Sequence, residues 1–244
     1  MDTGIESVLD SPEQGPTHLV PKRQRWIDLG LVSLIVFVPL VFAGVYGLLY
    51  PVAGTSHDTN GGFVSGLIEQ IGALALLAYV LRRQGRHFKD IGWTFRWTDL
   101  PKAAGLYVGA YVAFFVAGSA INAANVLFTG IHPHYRDPRV IFRGGSLLLM
   151  LVYSVSAPIF EETLVRGYLM TELIGLSCPV WLAPVASIVL QGTYHLYYGF
   201  SGALGVSASF AILAIYFALS RRLMPVILAH FLWDLTSVYM NWRH

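Results

Sequence analysis

The chain alternates between long apolar stretches and short polar segments, and this pattern predicts membrane-spanning helices. Each apolar stretch approaches the roughly 20 residues that a helix needs to cross the hydrocarbon core of a bilayer. Helices are favoured there because a helix satisfies its own backbone polar groups without water. The predicted spans are residues 27–49, 63–81, 103–128, 146–174, 180–198, 203–220 and 223–240. We therefore expect an all-α polytopic transmembrane bundle of about seven spans, or eight if the stretch at 146–174, which contains Pro158, forms two helices.

The polar and apolar segments divide the chain into three regions. Residues 1–25 contain three prolines and no apolar run, so we expect a flexible cytoplasmic tail and not a cleaved signal peptide. Residues 26–145 hold the three N-terminal spans. Residues 146–240 hold the other four, and we expect this region to be the functional core because most ionisable residues within spans lie there.

Composition supports a membrane protein and excludes several other classes. Hydrophobic residues make up 55% of the 244 residues and charged residues 12%, whereas soluble domains contain about 25% charged residues. A net charge of +2 provides no basic surface for nucleic acid. The single cysteine, Cys178, excludes an internal disulfide and multi-cysteine metal sites. We expect the lipid bilayer as a partner and no nucleic acid.

Lysine and arginine are distributed unevenly between the two predicted sides of the membrane. If the N-terminal tail is cytoplasmic, eleven of these residues flank the inner ends of the spans and four flank the outer ends. Since basic residues accumulate on the cytoplasmic side, we expect a cytoplasmic N-terminus. The short chain favours a bacterial plasma membrane. The eleven inner residues are Lys22, Arg23, Arg25, Arg82, Arg83, Arg86, Lys89, Arg96, Lys102, Arg221 and Arg222.

Seven ionisable residues fall deep within predicted spans. Each costs about 2.5–3.5 kcal/mol near the bilayer centre on insertion scales, so an ionisable residue there indicates a function. Six of the seven lie in residues 146–240, and this cluster is the candidate site. The seven are Glu69, Glu161, Glu162, Arg166, His195, His230 and Asp234.

Helical spacing separates these residues by role. Glu162 and Arg166 are four residues apart and share a face, which predicts a charge-neutralising pair. Glu161 is rotated from Glu162 by about 100° and has no such partner on its own helix. At a rise of about 1.5 Å per residue, four polar side chains reach a common layer of the membrane. They are Glu161, His195, His230 and Asp234.

A carboxylate and imidazoles around a water molecule can hydrolyse an amide. A carboxylate removed from bulk water is an effective general base, and a nearby imidazole can hold the water or protonate the leaving amine. A second histidine and a short polar side chain can donate to the oxyanion. The same four residues could instead hold a zinc ion with an open water position. The residues leave both routes open.

Three motifs in this region resemble those of the CAAX prenyl protease and bacteriocin-processing family of intramembrane endopeptidases. They occur in the family's order on separate spans, and the resemblance covers about residues 146–240. The motifs are Glu161-Glu162-Thr-Leu-Val-Arg166, His195 and His230-Phe-Leu-Trp-Asp234, which resemble the family's EExxxR, histidine and HxxxN/D motifs respectively.

The resemblance implies a membrane-embedded peptidase that cleaves a membrane-tethered peptide or protein. It implies that Glu161 is the general base and that His195 helps to activate the water. His230 and Asp234 then stabilise the oxyanion, or bind zinc together with Glu161 and His195 in the metalloprotease alternative. No cofactor is certain from the sequence, and zinc is the candidate.

Two further matches and two departures belong to the resemblance. Glu162 and Arg166 match positions that support the site. Gln191 stands where an aromatic residue is usual, four positions before the histidine of the second motif, which alters the pocket. Asp234 stands where the eukaryotic-type enzymes carry Asn, and an ionised carboxylate there repels an oxyanion and slightly favours a metal.

Two other functions are compatible with the sequence. One is a non-catalytic membrane scaffold or bacteriocin-immunity-type protein that uses the same fold to bind a partner. The other is a proton-coupled carrier, because buried Glu and His also suit proton relays. For an endopeptidase of a bacterial membrane, leader peptides, signal peptides or a regulatory membrane protein are better candidate substrates than prenylated CAAX proteins.

Overall fold

The structure is a computed structural model that describes residues 20–50, 59–130 and 145–242. Within these ranges the chain is helical and contains no strand. We number its seven helices in chain order. They are α1 (Lys22–Leu49), α2 (Thr59–Arg83), α3 (Asp99–Thr129), α4 (Leu147–Gly175), α5 (Leu182–Tyr194), α6 (Phe200–Ser220) and α7 (Met224–Trp242).

The predicted all-α transmembrane bundle is confirmed, and each predicted span overlaps one helix. In the span predicted at 180–198, however, the helix α5 has 13 residues and ends at Tyr194, before His195. Among the described residues, five helices are long and apolar enough to cross a membrane, and α5 and α7 are shorter apolar helices. Because α4 continues through Pro158, the alternative of two helices in this stretch is wrong. Helix α1 begins inside the predicted tail, at Lys22; residues 1–19 of that tail lie outside the described residues.

Two helices contain a π-helical segment close to a proline. In α1 the segment Ser33–Phe37 precedes Pro39, and in α4 the segment Glu162–Met170 follows Pro158. Proline cannot donate a backbone hydrogen bond and its ring displaces the carbonyl four residues earlier. Pro39 therefore rearranges the hydrogen-bond ladder inside the π-helical segment of α1, whereas Pro158 acts on residues that precede the segment of α4. The π-helical segment of α4 changes the angular positions of the residues that follow Glu161.

Helix α4 occupies the interior of the bundle. All nine residues of its π-helical segment are buried, and α4 packs against α2, α5 and α7. Helix α3 packs along α6 and α7, and α5 packs against α1 and α6. Charged side chains of the π-helical segment must therefore find their partners inside the protein.

Ion pairs join the connecting segments at one end of the bundle, which we call the arginine-rich end. The carboxylates in these pairs are almost completely buried, with at most 2% of their surface exposed. The end contains segments that the sequence assigns to the inner side, whereas the predicted outer residues Arg136, Arg139, Arg143 and Arg243 lie outside the described residues. In the ion pairs, Glu172 binds Arg25 and Arg86, Asp28 binds Arg83, and Asp99 binds Arg222.

Candidate active site

The carboxylate of Glu161 is held by a residue of the neighbouring helix α5. The hydroxyl of Tyr194 donates to Glu161 Oε2 at 2.6 Å, and Tyr194 is buried. As the spacing predicted, the partner of Glu161 does not lie on its own helix. Within the described part of the chain the second oxygen, Oε1, receives no hydrogen bond, so it is available to a water molecule. Glu161 is partly exposed, which gives water a route to it.

Glu162 and Arg166 form the predicted pair on α4, and the structure adds a third member. Arg166 Nη1 lies 2.8 Å from Glu162 Oε1, and both side chains are fully buried. His230 Nδ1 lies 2.7 Å from the same oxygen. Because a carboxylate accepts hydrogen bonds, His230 Nδ1 carries the proton and donates it. Glu162 therefore holds the ring of His230 across the interface between α4 and α7.

Arg166 is also fixed by α6. Its Nη2 donates to the backbone carbonyl of Phe210 at 3.2 Å, and its guanidinium lies 5.0 Å from the centroid of the Phe210 ring. These contacts surround a buried cation with an ion pair, a carbonyl dipole and an aromatic face. Arg166 is completely buried, so it supports the site through Glu162 and has no surface available to a substrate.

His195 directly follows the last residue of α5, where the chain enters a short 3-10 turn, Leu196–Tyr198. Its Nδ1 lies 2.8 Å from the backbone carbonyl oxygen of Gln191. A carbonyl can only accept, so Nδ1 carries a proton, and in the neutral ring Nε2 keeps a free lone pair. Aromatic rings surround the imidazole, with centroids 4.6–5.8 Å from its own. They belong to Tyr194, Tyr197, Tyr198 and Phe210.

Three of the four predicted catalytic residues line one cavity of about 190 Å³. They are His195, His230 and Asp234. The other walls come mainly from α3, α6 and α7, and they include an aromatic surface that we call the aromatic wall. In this wall the ring centroids of Tyr111 and Trp233 lie 4.2 Å apart, and those of Phe114 and Trp233 lie 5.5 Å apart. The cavity therefore offers an apolar surface beside polar side chains.

His230 lies between two carboxylates. Asp234 Oδ1 is 3.7 Å from His230 Nε2, which is an ion-pair distance and too long for a hydrogen bond. Glu161 is not among the residues that line the cavity, but it lies near enough to His195, His230 and Asp234 to interact with them electrostatically. The structure thus brings the four predicted residues into one region, with Glu161 at its side.

The arrangement does not fit a metal site. A zinc ion requires three or four nitrogen, oxygen or sulfur ligands at about 2.0–2.3 Å from one point. Among the residues that the structure describes, no group of three or more His, Cys, Asp or Glu side chains could hold a metal ion.

Spacing on single helices does not predict two contacts of the candidate site. One is the bond of Tyr194 to Glu161, and the other is the bond of His230 to Glu162. Both contacts join different helices, so their formation depends on how those helices are rotated and packed. The position of Tyr194 directly before His195 offered one signal, because a residue next to a candidate histidine reaches the same layer of the membrane.

A polytopic helical membrane protein with buried carboxylates and histidines beside one cavity suits hydrolytic chemistry in the membrane. Residues 143–236 match the family model described as Type II CAAX prenyl endopeptidase Rce1-like. The matched segment contains all three motifs, and the match confirms the resemblance to the CAAX prenyl protease and bacteriocin-processing family that the motifs predicted. No curated protein and no solved structure matches the chain.

Proposed function

We propose that the protein is an intramembrane endopeptidase in which Glu161 activates a water molecule for attack on a peptide bond. The observation that carries this proposal is the position of Glu161, held by Tyr194 beside His195, next to the cavity that His195 shares with His230 and Asp234. The match of residues 143–236 to an endopeptidase family supports the same chemistry.

In the proposed reaction Glu161 acts as the general base. Its Oε1 removes a proton from the water, while the bond from Tyr194 to Oε2 fixes the plane of the carboxylate. His195 Nε2 accepts a hydrogen bond from the same water and orients it. The water oxygen then bonds to the carbonyl carbon, and the proton that Glu161 took is returned to the leaving amine as the carbon–nitrogen bond breaks.

His230 is placed to stabilise the oxyanion of the tetrahedral intermediate. Its Nδ1 is bound to Glu162, so when the ring carries both protons its Nε2 is a donor toward the cavity side. Asp234 balances the charge of that protonated ring before substrate binds. Preorganised donors of this kind contribute to catalysis because they need no rearrangement when the negative charge develops.

The cavity supports an apolar substrate. The aromatic wall of Tyr111, Phe114 and Trp233 can contact a hydrophobic side chain of the substrate, while the histidines lie where the peptide bond reacts. We therefore propose a membrane-tethered or hydrophobic peptide or protein, such as a leader peptide, a signal peptide or a regulatory membrane protein. A non-catalytic scaffold has no need for a base, a donor and a cavity at one place.

Comparison of membrane proteomes tests this function and requires no known substrate. Cells carrying the wild type, Glu161→Gln or Glu69→Gln are compared by mass spectrometry of membrane proteins and released peptides. Glu69 is a matched control because it is also a carboxylate within a span, but it is exposed on the surface of α2. We expect an uncleaved precursor to accumulate only with Glu161→Gln. Identical proteomes for Glu161→Gln and the wild type would favour the scaffold.

A further inference from the structure

Behind the candidate active site, α4 and α5 bury polar atoms that lack partners. Among the described residues, no hydrogen-bond partner exists for Glu162 Oε2, Arg166 Nε, Ser187 Oγ or either side-chain amide atom of Gln191. All four residues are 0% exposed. A buried polar group without a partner costs about 1–3 kcal/mol, so five such atoms on two helices that pack together indicate that something binds them.

One face of α5, which carries Ser187 and Gln191, is turned toward α4. Ser187, Gln191 and Tyr194 are spaced by four and three residues, so they share one face of α5. Tyr194 binds Glu161 of α4, which shows that this face is turned toward α4. The π-helical segment of α4, which carries Glu162 and Arg166, packs against α5.

A shared neighbour also relates Arg166 to the end of α5. The guanidinium of Arg166 lies 5.0 Å from the centroid of the Phe210 ring, and the ring of His195 lies 5.1 Å from the same centroid. His195 in turn binds the backbone of Gln191. Arg166 and Gln191 are therefore on the same side of the bundle, behind the histidine that lines the cavity.

We propose that α4 and α5 enclose an internal water site bounded by Glu162, Arg166, Ser187 and Gln191. A water molecule can donate to Glu162 Oε2 and to Gln191 Oε1, and it can accept from Arg166 Nε and Gln191 Nε2. The hydroxyl of Ser187 can donate and accept, so it can bind the same water or a second one. Buried waters typically make about three hydrogen bonds to groups that would otherwise lack partners.

The water site positions the catalytic histidine through Glu162. Oε1 of Glu162 binds Arg166 and His230, so a water on Oε2 fixes the remaining rotation of the carboxylate. Gln191 and Ser187 are thus positioning residues that do not touch the substrate. This consequence for catalysis rests on the proposed function, whereas the presence of water does not.

An experimental structure of the full chain in lipid or detergent, at a resolution that shows ordered water, tests the site directly. We expect water density within hydrogen-bond distance of at least three of the five atoms. Direct bonds among the four side chains, with no density between them, would overturn the water site. This result is independent of any enzymatic activity.

Ser187→Ala and Gln191→Leu test the positioning role once a substrate is known. Each removes water ligands, and we expect kcat to fall about tenfold, the effect of losing one hydrogen bond that orients the site, while KM stays unchanged, because no contact with substrate is lost. The matched control is Thr193→Val, which removes a hydroxyl from α5 whose one hydrogen bond among the described residues is to the backbone of its own helix. If Gln191→Leu does not fold, Ser187→Ala alone tests the positioning role.

Unchanged kcat in a folded Ser187→Ala or Gln191→Leu variant would overturn the positioning role. A fall in kcat for Thr193→Val equal to that of Ser187→Ala would also overturn it, since any change in α5 would then have the same effect. If the wild type cleaves no substrate, the proposed function fails, and the ordered-water structure still tests the site.

Discussion

The two adjacent carboxylates Glu161 and Glu162 differ in the number of donors that replace water around them. Glu162 is completely buried and receives hydrogen bonds from Arg166 and His230. Glu161 is partly exposed and receives one bond, from Tyr194. Each carboxylate has one oxygen without a hydrogen bond among the described residues, but that of Glu162 is buried inside the protein, whereas Glu161 is partly exposed and can be reached from the site. This difference favours Glu161 as the base and Glu162 as its support.

Removal of the Tyr194 hydroxyl tests how firmly Glu161 must be held. In Tyr194→Phe the carboxylate loses its only donor within the described residues, so we expect kcat to fall about tenfold, equivalent to about 1.4 kcal/mol in the barrier. The measurement is the cleavage rate of reconstituted protein. The control is Tyr79→Phe, because Tyr79 is exposed on α2. An unchanged rate for Tyr194→Phe would show that Glu161 does not depend on this bond.

At the residue scale, the sequence predicted contacts within one helix and not those between helices. The pair Glu162–Arg166 follows from helix geometry alone, because residues four apart are neighbours. The contacts of Glu161 with Tyr194 and of Glu162 with His230 require the relative rotation of two helices. The π-helical segment of α4 alters that rotation. The spacing of residues in the sequence does not reveal that this segment is π-helical.

At the scale of elements, hydrophobic length was sufficient to locate the helices. The span predicted at 103–128 corresponds to α3, Asp99–Thr129, and the span predicted at 203–220 corresponds to α6, Phe200–Ser220. The ends of helices are harder to predict, because polar and aromatic residues at the membrane surface continue a helix as readily as they end it. Pro158 suggested a break, but burial of α4 on several sides keeps the helix continuous.

The close packing of α1 against the end of α5 gives a prediction at this scale. A Cβ added at Gly44 would lie 2.6 Å from the backbone oxygens of Thr193 and Tyr194. Since backbone atoms cannot move aside alone, Gly44→Ala must displace the end of α5, which carries Tyr194 and precedes His195. We expect a lower Tm, because overpacking typically lowers the free energy of unfolding by about 1–3 kcal/mol. We also expect kcat to fall at least tenfold, because the displaced end of α5 carries the partner of Glu161.

Gly30→Ala is the matched control for the packing of α1. It lies on the same helix, and a Cβ added there has no atom within 4 Å. Alanine also has a higher helix propensity than glycine, so Gly30→Ala is expected to keep activity and to keep or raise the Tm. Thermal unfolding in detergent and the cleavage rate are measured for both variants. Equal Tm values and equal cleavage rates for Gly44→Ala and Gly30→Ala would contradict the close approach of α1 to the end of α5.

On the scale of the whole molecule, the site and the arginine-rich end lie at different depths. Glu172, which binds Arg25 and Arg86, follows Glu161 by eleven residues on α4. The rise of a helix places the two carboxylates roughly 15 Å apart along its axis. The arginine-rich end therefore fixes the helices at one end of the bundle, while the candidate active site lies deeper.

The distribution of arginine and lysine predicts that the arginine-rich end is cytoplasmic. In a Cys178→Ser background, Lys89→Cys places a thiol at an exposed position of this end, and Phe128→Cys places one near the other end of α3. With a membrane-impermeant maleimide, we expect intact cells to label Phe128→Cys and permeabilised cells to label both. If intact cells label Lys89→Cys and not Phe128→Cys, the arginine-rich end faces the outside, which contradicts the predicted orientation.

The most direct test of the account is the rate at which purified protein in liposomes cleaves the precursor that accumulates with Glu161→Gln. We expect the wild type to cleave it and Glu161→Gln to be slower by about 10²–10⁴-fold, the usual contribution of general acid–base catalysis. Glu69→Gln is expected to match the wild type. Cleavage by Glu161→Gln at the wild-type rate would contradict the claim that Glu161 activates the water.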